Sequence, residues 1–266
     1  MHAFQYHRPS STQDALKLGT QKGEGKYLAG GQSLVQAMKL RLSSPSDLID
    51  LGTIKELTGI KAAGSGVEIG AMTRHAEVAS SPEVKRIIPS LAALAEMIGD
   101  RQVRHMGTLG GSIANNDPAA DYPAAVLGLG ATVTTNKRKI EADKFFKGLY
   151  ETALEPGELI TSVAFPAPKR AAYMKFKNPA SRFALVGVFV ADFGGGKVRV
   201  AVTGAGPVVF RQAEMEKALA AKFAPDAVAN IKVKPDGLNS DLHASPEYRA
   251  HLITVMCKCA VEQALK

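Results

Sequence analysis

Cysteine is scarce in this 266-residue chain: Cys257 and Cys259 are the only two. They cannot form a disulfide framework, and their scarcity fits a reducing compartment. Apolar runs stop well short of the ~20 residues that a membrane-spanning helix needs. The opening stretch, MHAFQYHRPSSTQDAL, has no apolar centre of the kind a secretory leader carries, so the expected location is the cytoplasm. Aromatic residues do not interleave with basic ones as they do in proteins that grip single-stranded nucleic acid. The six histidines show no metal-ligand spacing, and no catalytic-triad motif is present. No segment repeats at a solenoid period.

Apolar residues make up 45% of the chain and charged residues 22%, ordinary values for a soluble globular protein. The length accommodates one large domain or a few small ones with ample core. The net charge of +8 suits nucleic acid, an acidic partner or an anionic cofactor. The cations are scattered, however, and the densest cluster, Lys137-Arg138-Lys139, is expected at a solvated hairpin tip.

Three units follow from the periodicity. In residues 1–55, TQDALKLGTQK reads as a helix over 12–22, KYLAG as a strand, and SDLIDL as another. Between the strands Ser33 is expected to cap a helix with Leu34, Met38 and Leu42 on one face, ended by Pro45. In residues 56–168, GVEIGAMT and ELITSVAFP read as strands, and RHAEVASS and PSLAALAEMIGD as helices. YPAAVLGLGATVTT and NKRKIEA are expected as two strands around Asn136-Lys137. In residues 169–266, AYMKFK, FALVGVFVADF and KVRVAVTG read as three antiparallel strands, the last two joined by Gly194 to Gly196. Helices follow at RQAEMEKALAAKF and from Ser245 onward, where Tyr248, Leu252, Met256 and Cys259 share a face. The mixture is α+β.

Two glycine segments stand out, AGGQS (29–33) and GTLGGS (107–112). Glycine lets backbone approach a ligand and reach positive φ, and convergent amides ahead of a helix make an anion site. A strand-to-helix turn built from flexible residues explains AGGQS equally well. GTLGGS lacks the Gly-Lys-Ser/Thr ending of a P-loop. GAGPVV (204–209) and GLGATV (128–133) both fail the dinucleotide fingerprint. Asp117, before Pro118, reads as a helix cap, while the role of Asp121 stays open. Cys257 and Cys259 would point about 200° apart on a helix and cannot share a metal ion.

Taken together, AGGQSLVQAMKLRL and GTLGGSIANNDPAAD, in this order and at this separation, resemble the FAD-binding medium subunits of molybdenum hydroxylases, the family of the aerobic carbon monoxide dehydrogenase medium subunit and the xanthine dehydrogenase flavin domain. The similarity runs from FQYHRPSSTQDAL to the last helix. It implies a two-subdomain FAD-binding fold of the vanillyl-alcohol-oxidase/PCMH type, residues 1–55 and 56–168, with a C-terminal domain of three antiparallel strands and helices, 169–266. It implies that Ala29, Gly30, Gly31, Gln32, Ser33 and Leu34, with Thr108, Gly110, Gly111 and Ser112, wrap the FAD diphosphate. Asp121 would contact the adenosine end, the backbone of Ile160 would lie near the flavin, and Lys177 would lie near the isoalloxazine. Family members often carry tyrosine where this chain has Phe183. No catalytic acid or base and no metal ligand is expected in this chain.

The implied role is electron relay within a larger enzyme. Molybdopterin and two [2Fe–2S] clusters belong, by this resemblance, to separate large and small partner subunits, assembled as a dimer of heterotrimers. The rivals are a stand-alone flavin oxidoreductase of the same fold and a non-catalytic basic binding module. Gly31→Asp and Gly110→Val are each expected to remove the flavin from a folded chain. The motif segments hold no cysteine, and the one nearby histidine, His105, precedes the glycines, so FAD is expected to be held non-covalently. Acid precipitation should then release all the yellow colour into the supernatant, and colour kept in the pellet would refute it.

Overall fold

The computed structural model describes every residue of the chain except Lys22 and Glu24. The first unit runs β1 (Gln5–His7), α1 (Thr12–Gln21), β2 (Lys26–Leu28), α2 (Leu34–Lys39), β3 (Asp47–Asp50). Its three strands pair in parallel in the order β1-β3-β2. The second runs β4 (Ile60–Ala63), β5 (Gly66–Gly70), α3 (His75–Ser80), α4 (Pro82–Ile87), α5 (Pro89–Glu96), α6 (Arg101–Met106), α7 (Leu109–Asn115), α8 (Tyr122–Gly128), β6 (Thr132–Thr135), β7 (Lys139–Glu141), α9 (Ala142–Phe145), β8 (Phe146–Gly148), β9 (Glu151–Thr152) and β10 (Ile160–Phe165). Here an antiparallel sheet is ordered β4-β5-β10-β6-β7, with β8 and β9 as a separate hairpin. The last run is β11 (Arg170–Lys177), β12 (Ala184–Asp192), β13 (Val198–Thr203), β14 (Phe210–Arg211), α10 (Ala213–Ala221) and α11 (Pro246–Ala264).

β12 explains how the C-terminal sheet sits. All nine of its residues are buried, which requires cover on both faces. The side chains alternate between two cores. Val186, Val188 and Val190 join a cluster with α10 and α11, while Phe189 and Ala191 join the cluster built around α5, α7 and α8. Gly187 is left bare because Tyr173 crosses over it: a Cβ there would sit 2.2 Å from the tyrosine oxygen. A smaller core of Ala15, Ile49, Leu51, Ile54 and Leu57 under the first unit is closed by Met72 and Leu159 of the second.

Several sequence expectations change. YPAAVLG is a helix, not a strand: all seven residues are buried, and an apolar run covered all round carries no period to tell the two apart. β1 and β4 are short and were not expected. A fourth strand, β14, extends the C-terminal sheet. On α11 the buried stripe is Arg249, Leu252, Ile253, Cys257, Ala260 and Val261. The face is therefore shifted from the expected one: Tyr248 is 42% exposed and Cys257, not Cys259, enters the core, where burial pushes its thiol up to about 12. The Lys137–Lys139 tip is not merely solvated, because Lys137 reaches Glu155 at 2.9 Å and Arg138 reaches Glu158 at 3.0 Å.

α2 also ends differently from expectation. It stops at Lys39, six residues before Pro45, so Leu42 lies beyond it. Arg41 takes φ 61°, its N–H donates to Met38 O at 3.1 Å, and the N–H of Leu42 donates to Ala37 O at 2.8 Å. This is a Schellman turn with arginine in the place glycine usually holds, and the left-handed backbone costs a non-glycine residue about 1 kcal/mol.

Arg249 ties the C-terminal unit together. Its guanidinium donates to Leu185 O at 2.8 Å, to Gly204 O at 3.1 Å and to the Asp241 carboxylate at 2.7 Å, with 3% of the residue exposed. Arg249→Met keeps the volume but removes the guanidinium donor from Leu185 O and leaves Gly204 O with the Asn239 amide alone, at 3.2 Å, a loss of about 2 kcal/mol. Urea unfolding should show that drop, and an unchanged midpoint would contradict this account.

Candidate functional site

The five residues between β2 and α2 form the core of the site. Gly31 takes φ 72°, a left-handed conformation that turns the chain toward the helix. The carbonyls of Gly31 and Ser33 accept from the amides of Val35 and Ala37 at 3.2 and 3.0 Å. The amides behave differently. From Gly30 to Leu34, consecutive backbone N–H groups have no acceptor among the described residues. Ser33 occupies the cap position in helical geometry (φ −116°, ψ −55°) and makes no capping hydrogen bond, against the expectation that its hydroxyl caps α2. A run of unpaired donors at a helix start is an anion-binding concavity.

The second glycine segment is built otherwise. Thr108 caps α7, its Oγ1 accepting from Gly111 N–H at 3.1 Å. The amides of Leu109, Gly110 and Ser112 donate to Thr73 O, Ala71 O and Thr108 O at 3.1, 2.8 and 3.0 Å. The amides of Gly110, Gly111 and Ser112, three of those expected to face a phosphate, are therefore already paired. Thr108's own N–H has no acceptor among the described residues. This segment is a floor rather than a second row of donors.

The two segments touch. A Cβ on Gly30 would lie 2.1 Å from the Met106 carbonyl oxygen and 2.7 Å from Gly107 Cα, and one on Gly111 would lie 3.1 Å from Ala29 Cβ. Gly110 faces elsewhere: its Cβ would lie 2.6 Å from Ala71 Cβ. Gly110→Val is thus a lesion in the packing of α7 on β5, which corrects the expectation that it spares the fold. Ala71 links this floor to β10, accepting from Gly110 and donating to Thr161 O at 2.9 Å. Thr161 sits at the bulge beside Ile160, a residue 4% exposed whose side chain joins the core of the second unit.

Asp121 and Lys177 form a second group, with no hydrogen bond to the glycine segments among the described residues. Asp121 begins α8 and is 4% exposed. Its carboxylate accepts from the Tyr173 hydroxyl at 2.5 Å and from Lys175 Nζ at 2.9 Å, and Lys175 also donates to Met97 O at 3.2 Å. Burial raises the Asp121 carboxyl above its ordinary range, and the Lys175 ammonium opposes that shift ahead of the Tyr173 hydroxyl and Lys177. Tyr173, Lys175 and Lys177 alternate along β11, although the register slips between Phe176 and Lys177. Lys177 is exposed at the strand end, and Phe183, 51% exposed, closes the turn that follows, its carbonyl accepting from Asn178 at 2.8 Å.

Sequence reasoning missed three residues here. Tyr173 and Lys175 were read only as strand. His75 links the two groups: its N–H donates to Gly107 O at 3.0 Å, and its ring lies 5.3 Å from that of Tyr122. Burial, and then the charge of Arg104, pushes its pKa down to about 4, so it is neutral near pH 7. The alternation Tyr-x-Lys-x-Lys was the available signal for the first two. For His75 there was none.

The residues present fit a doubly charged diphosphate. Donors run in series, glycines admit the ligand, and residues 26–46 contain no carboxylate.

The chain is similar to known proteins over nearly its whole length. Residues 2–168 match the family described as the FAD binding domain in molybdopterin dehydrogenase. The nicotine 6-hydroxylase medium subunit of Paenarthrobacter nicotinovorans is 35% identical, over 98% of this chain and 97% of its own length. The carbon monoxide dehydrogenase medium chain of Afipia carboxidovorans is 36% identical, over 98% and 96%. A chain of reconstituted CO dehydrogenase from Oligotropha carboxidovorans superposes with a TM-score of 0.90 at 34% identity, covering 99% of this chain and 98% of that one.

Gly31→Asp adds a carboxylate where the cradle receives its anion, at a φ that aspartate tolerates; its nearest neighbour is Val35 Cγ2, at 2.9 Å, with no backbone atom in the way. Flavin content should fall ~10-fold or more, the loss of one or two charge-assisted hydrogen bonds, with the circular dichroism unchanged. Gly31→Asn, neutral and equal in size, should keep more flavin. Equal flavin in the Asp variant and the parent chain would refute the cradle.

Proposed function

The chain belongs to the FAD-binding family of molybdopterin dehydrogenases, and from that membership we propose that it is the flavin-carrying electron-relay subunit of a molybdenum hydroxylase complex. The observation that carries this reading is the row of unpaired amides from Gly30 to Leu34 above the floor at Met106–Gly107. Bound there, FAD supplies the exchange between one-electron and two-electron carriers.

The chain's own groups hold and orient the cofactor. Amides from Gly30 to Leu34 donate to the diphosphate, and Ser33 adds its hydroxyl. Ala29 and Gly111 keep the approach narrow, with Thr108 and Ser112 on the same rim. Asp121, fixed by Tyr173 and Lys175, borders the adenosine end. The Ile160 backbone lines the ring side, and Lys177 supplies a positive charge that favours negative charge on the ring. His75, neutral against Gly107 and Tyr122, holds the floor in place. In this reading no side chain of the cradle acts as acid or base.

Residues 1–55 and 56–168 act as the two flavin-holding subdomains of a vanillyl-alcohol-oxidase-type fold, and 169–266 as the third domain. The relatives' names, medium subunit and medium chain, support partner subunits, for which we assign a large molybdopterin chain and a small [2Fe–2S] chain in a dimer of heterotrimers. Among the described residues no helix is long and apolar enough to cross a membrane, and we place the complex in the cytoplasm.

Purification from the native source through a tag on this chain tests the assignment. Flavin, iron and molybdenum should elute together, and organic substrate should bleach the flavin of the complex but not of the isolated chain. Turnover by the isolated chain free of iron and molybdenum would replace this reading with a stand-alone flavin oxidoreductase. A colourless preparation would leave the basic binding module.

A further inference from the structure

The turn after α2 presents apolar side chains to solvent in a way its own geometry does not require. In a Schellman turn the apolar residue two past the cap usually folds back against the last helical turn. Leu42 holds that place, and its N–H makes the expected bond to Ala37 O, yet it is 79% exposed. Leu40, at the cap itself, is 71% exposed. Between them Arg41 holds a left-handed φ of 61°, a conformation that glycine adopts without strain. Leu40 and Leu42 are, after Leu242, the most exposed large apolar side chains among the described residues, and exposed apolar surface rimmed by polar groups is a mark of contact sites.

The charge within residues 26–46 has one sign. Residues 26–46 carry Lys26, Lys39 and Arg41 and no carboxylate. No ion pair to any of these three cations occurs among the described residues, and Lys26 donates only to Ser43 Oγ, at 3.4 Å. The tip is therefore two leucines set beside three cations that have no ion pair among the described residues. A complementary surface is an apolar pocket rimmed by carboxylates, where steering and burial act together. The same short helix carries the unpaired amides at its other end, so the tip lies apart from the cradle.

We propose that the Leu40–Leu42 tip is the docking knob by which this chain engages a partner subunit of its complex, and that the partner offers an acid-rimmed apolar pocket. The proposal rests on the reading of the chain as one subunit of a multi-subunit enzyme. It goes beyond that reading in locating the contact and giving its chemistry.

The test uses the complex purified from its native source through a tag on this chain. Leu40→Asp/Leu42→Asp should keep parental FAD content and lose at least ~10-fold of the co-purifying partner, the order expected when a contact's central anchors are removed. Arg41→Gly suits the turn's backbone and removes one cation. It should fold as well as the parent while its partner dissociates at lower salt. Should the double variant fold poorly, amide hydrogen exchange of the unaltered chain decides: Leu40 to Ser43 should be protected in the complex relative to the isolated chain. A double variant with normal flavin and a full complement of partner overturns the proposal while leaving the flavin assignment intact, as does unchanged exchange at 40–43. A parent chain that self-associates through this tip, becoming monomeric in the double variant, overturns it in favour of a second copy. A preparation without flavin or partner overturns the functional reading itself, and the docking proposal with it.

Discussion

Two stretches of main chain, at Gly30 and at Met106–Gly107, come so close that no β-carbon fits between them. The rest of the site depends on that approach. It sets the segment ahead of α2, with its unpaired amides, directly against the segment ahead of α7. It also explains an asymmetry that similar glycine strings conceal. In the first string the glycines leave donors unpaired. In the second they allow tight packing on Ala71 and Ala29, while the donors are consumed by Thr73, Ala71 and Thr108.

The second support is polar and lies deeper. Asp121, Tyr173, Lys175 and the Met97 carbonyl join the start of α8 and the end of α5 to β11. Such a network is retained only when its members satisfy one another. Its position ties the C-terminal sheet to the half of the chain that matches the FAD-binding family. His75 spans the distance to the glycine floor through Gly107 on one side and Tyr122 on the other.

Much of this was legible in the sequence, for identifiable reasons. Strands buried on one face or flanked by glycine declared themselves, as did α5 and the Ser245 cap, whose hydroxyl accepts from Tyr248 N–H at 3.3 Å. The two glycine strings, far apart in sequence, do come into contact. Which of their amides are unpaired was not legible, because that depends on the carbonyls of Ala71 and Thr73, more than thirty residues upstream of the second string. YPAAVLG was misread because burial on all sides erases periodicity. The stripe on α11 shifted because Arg249, a residue expected outside, turns inward to bind Leu185 and Gly204. The stop of α2 at Arg41 was hidden because arginine does not announce a left-handed turn.

β12 has a further consequence. Even-numbered side chains from Val186 to Val190 fill one core while Phe189 and Ala191 fill the other. Neither half can therefore lose this strand without exposing the apolar surface of its neighbour. The flavin-holding half and the C-terminal half are coupled into one cooperative folding unit, although a short proline-bearing link, Pro166-Ala167-Pro168, joins them and suggests a modular boundary. Excising either half at that link would leave a fragment with an open hydrophobic face and a tendency to aggregate.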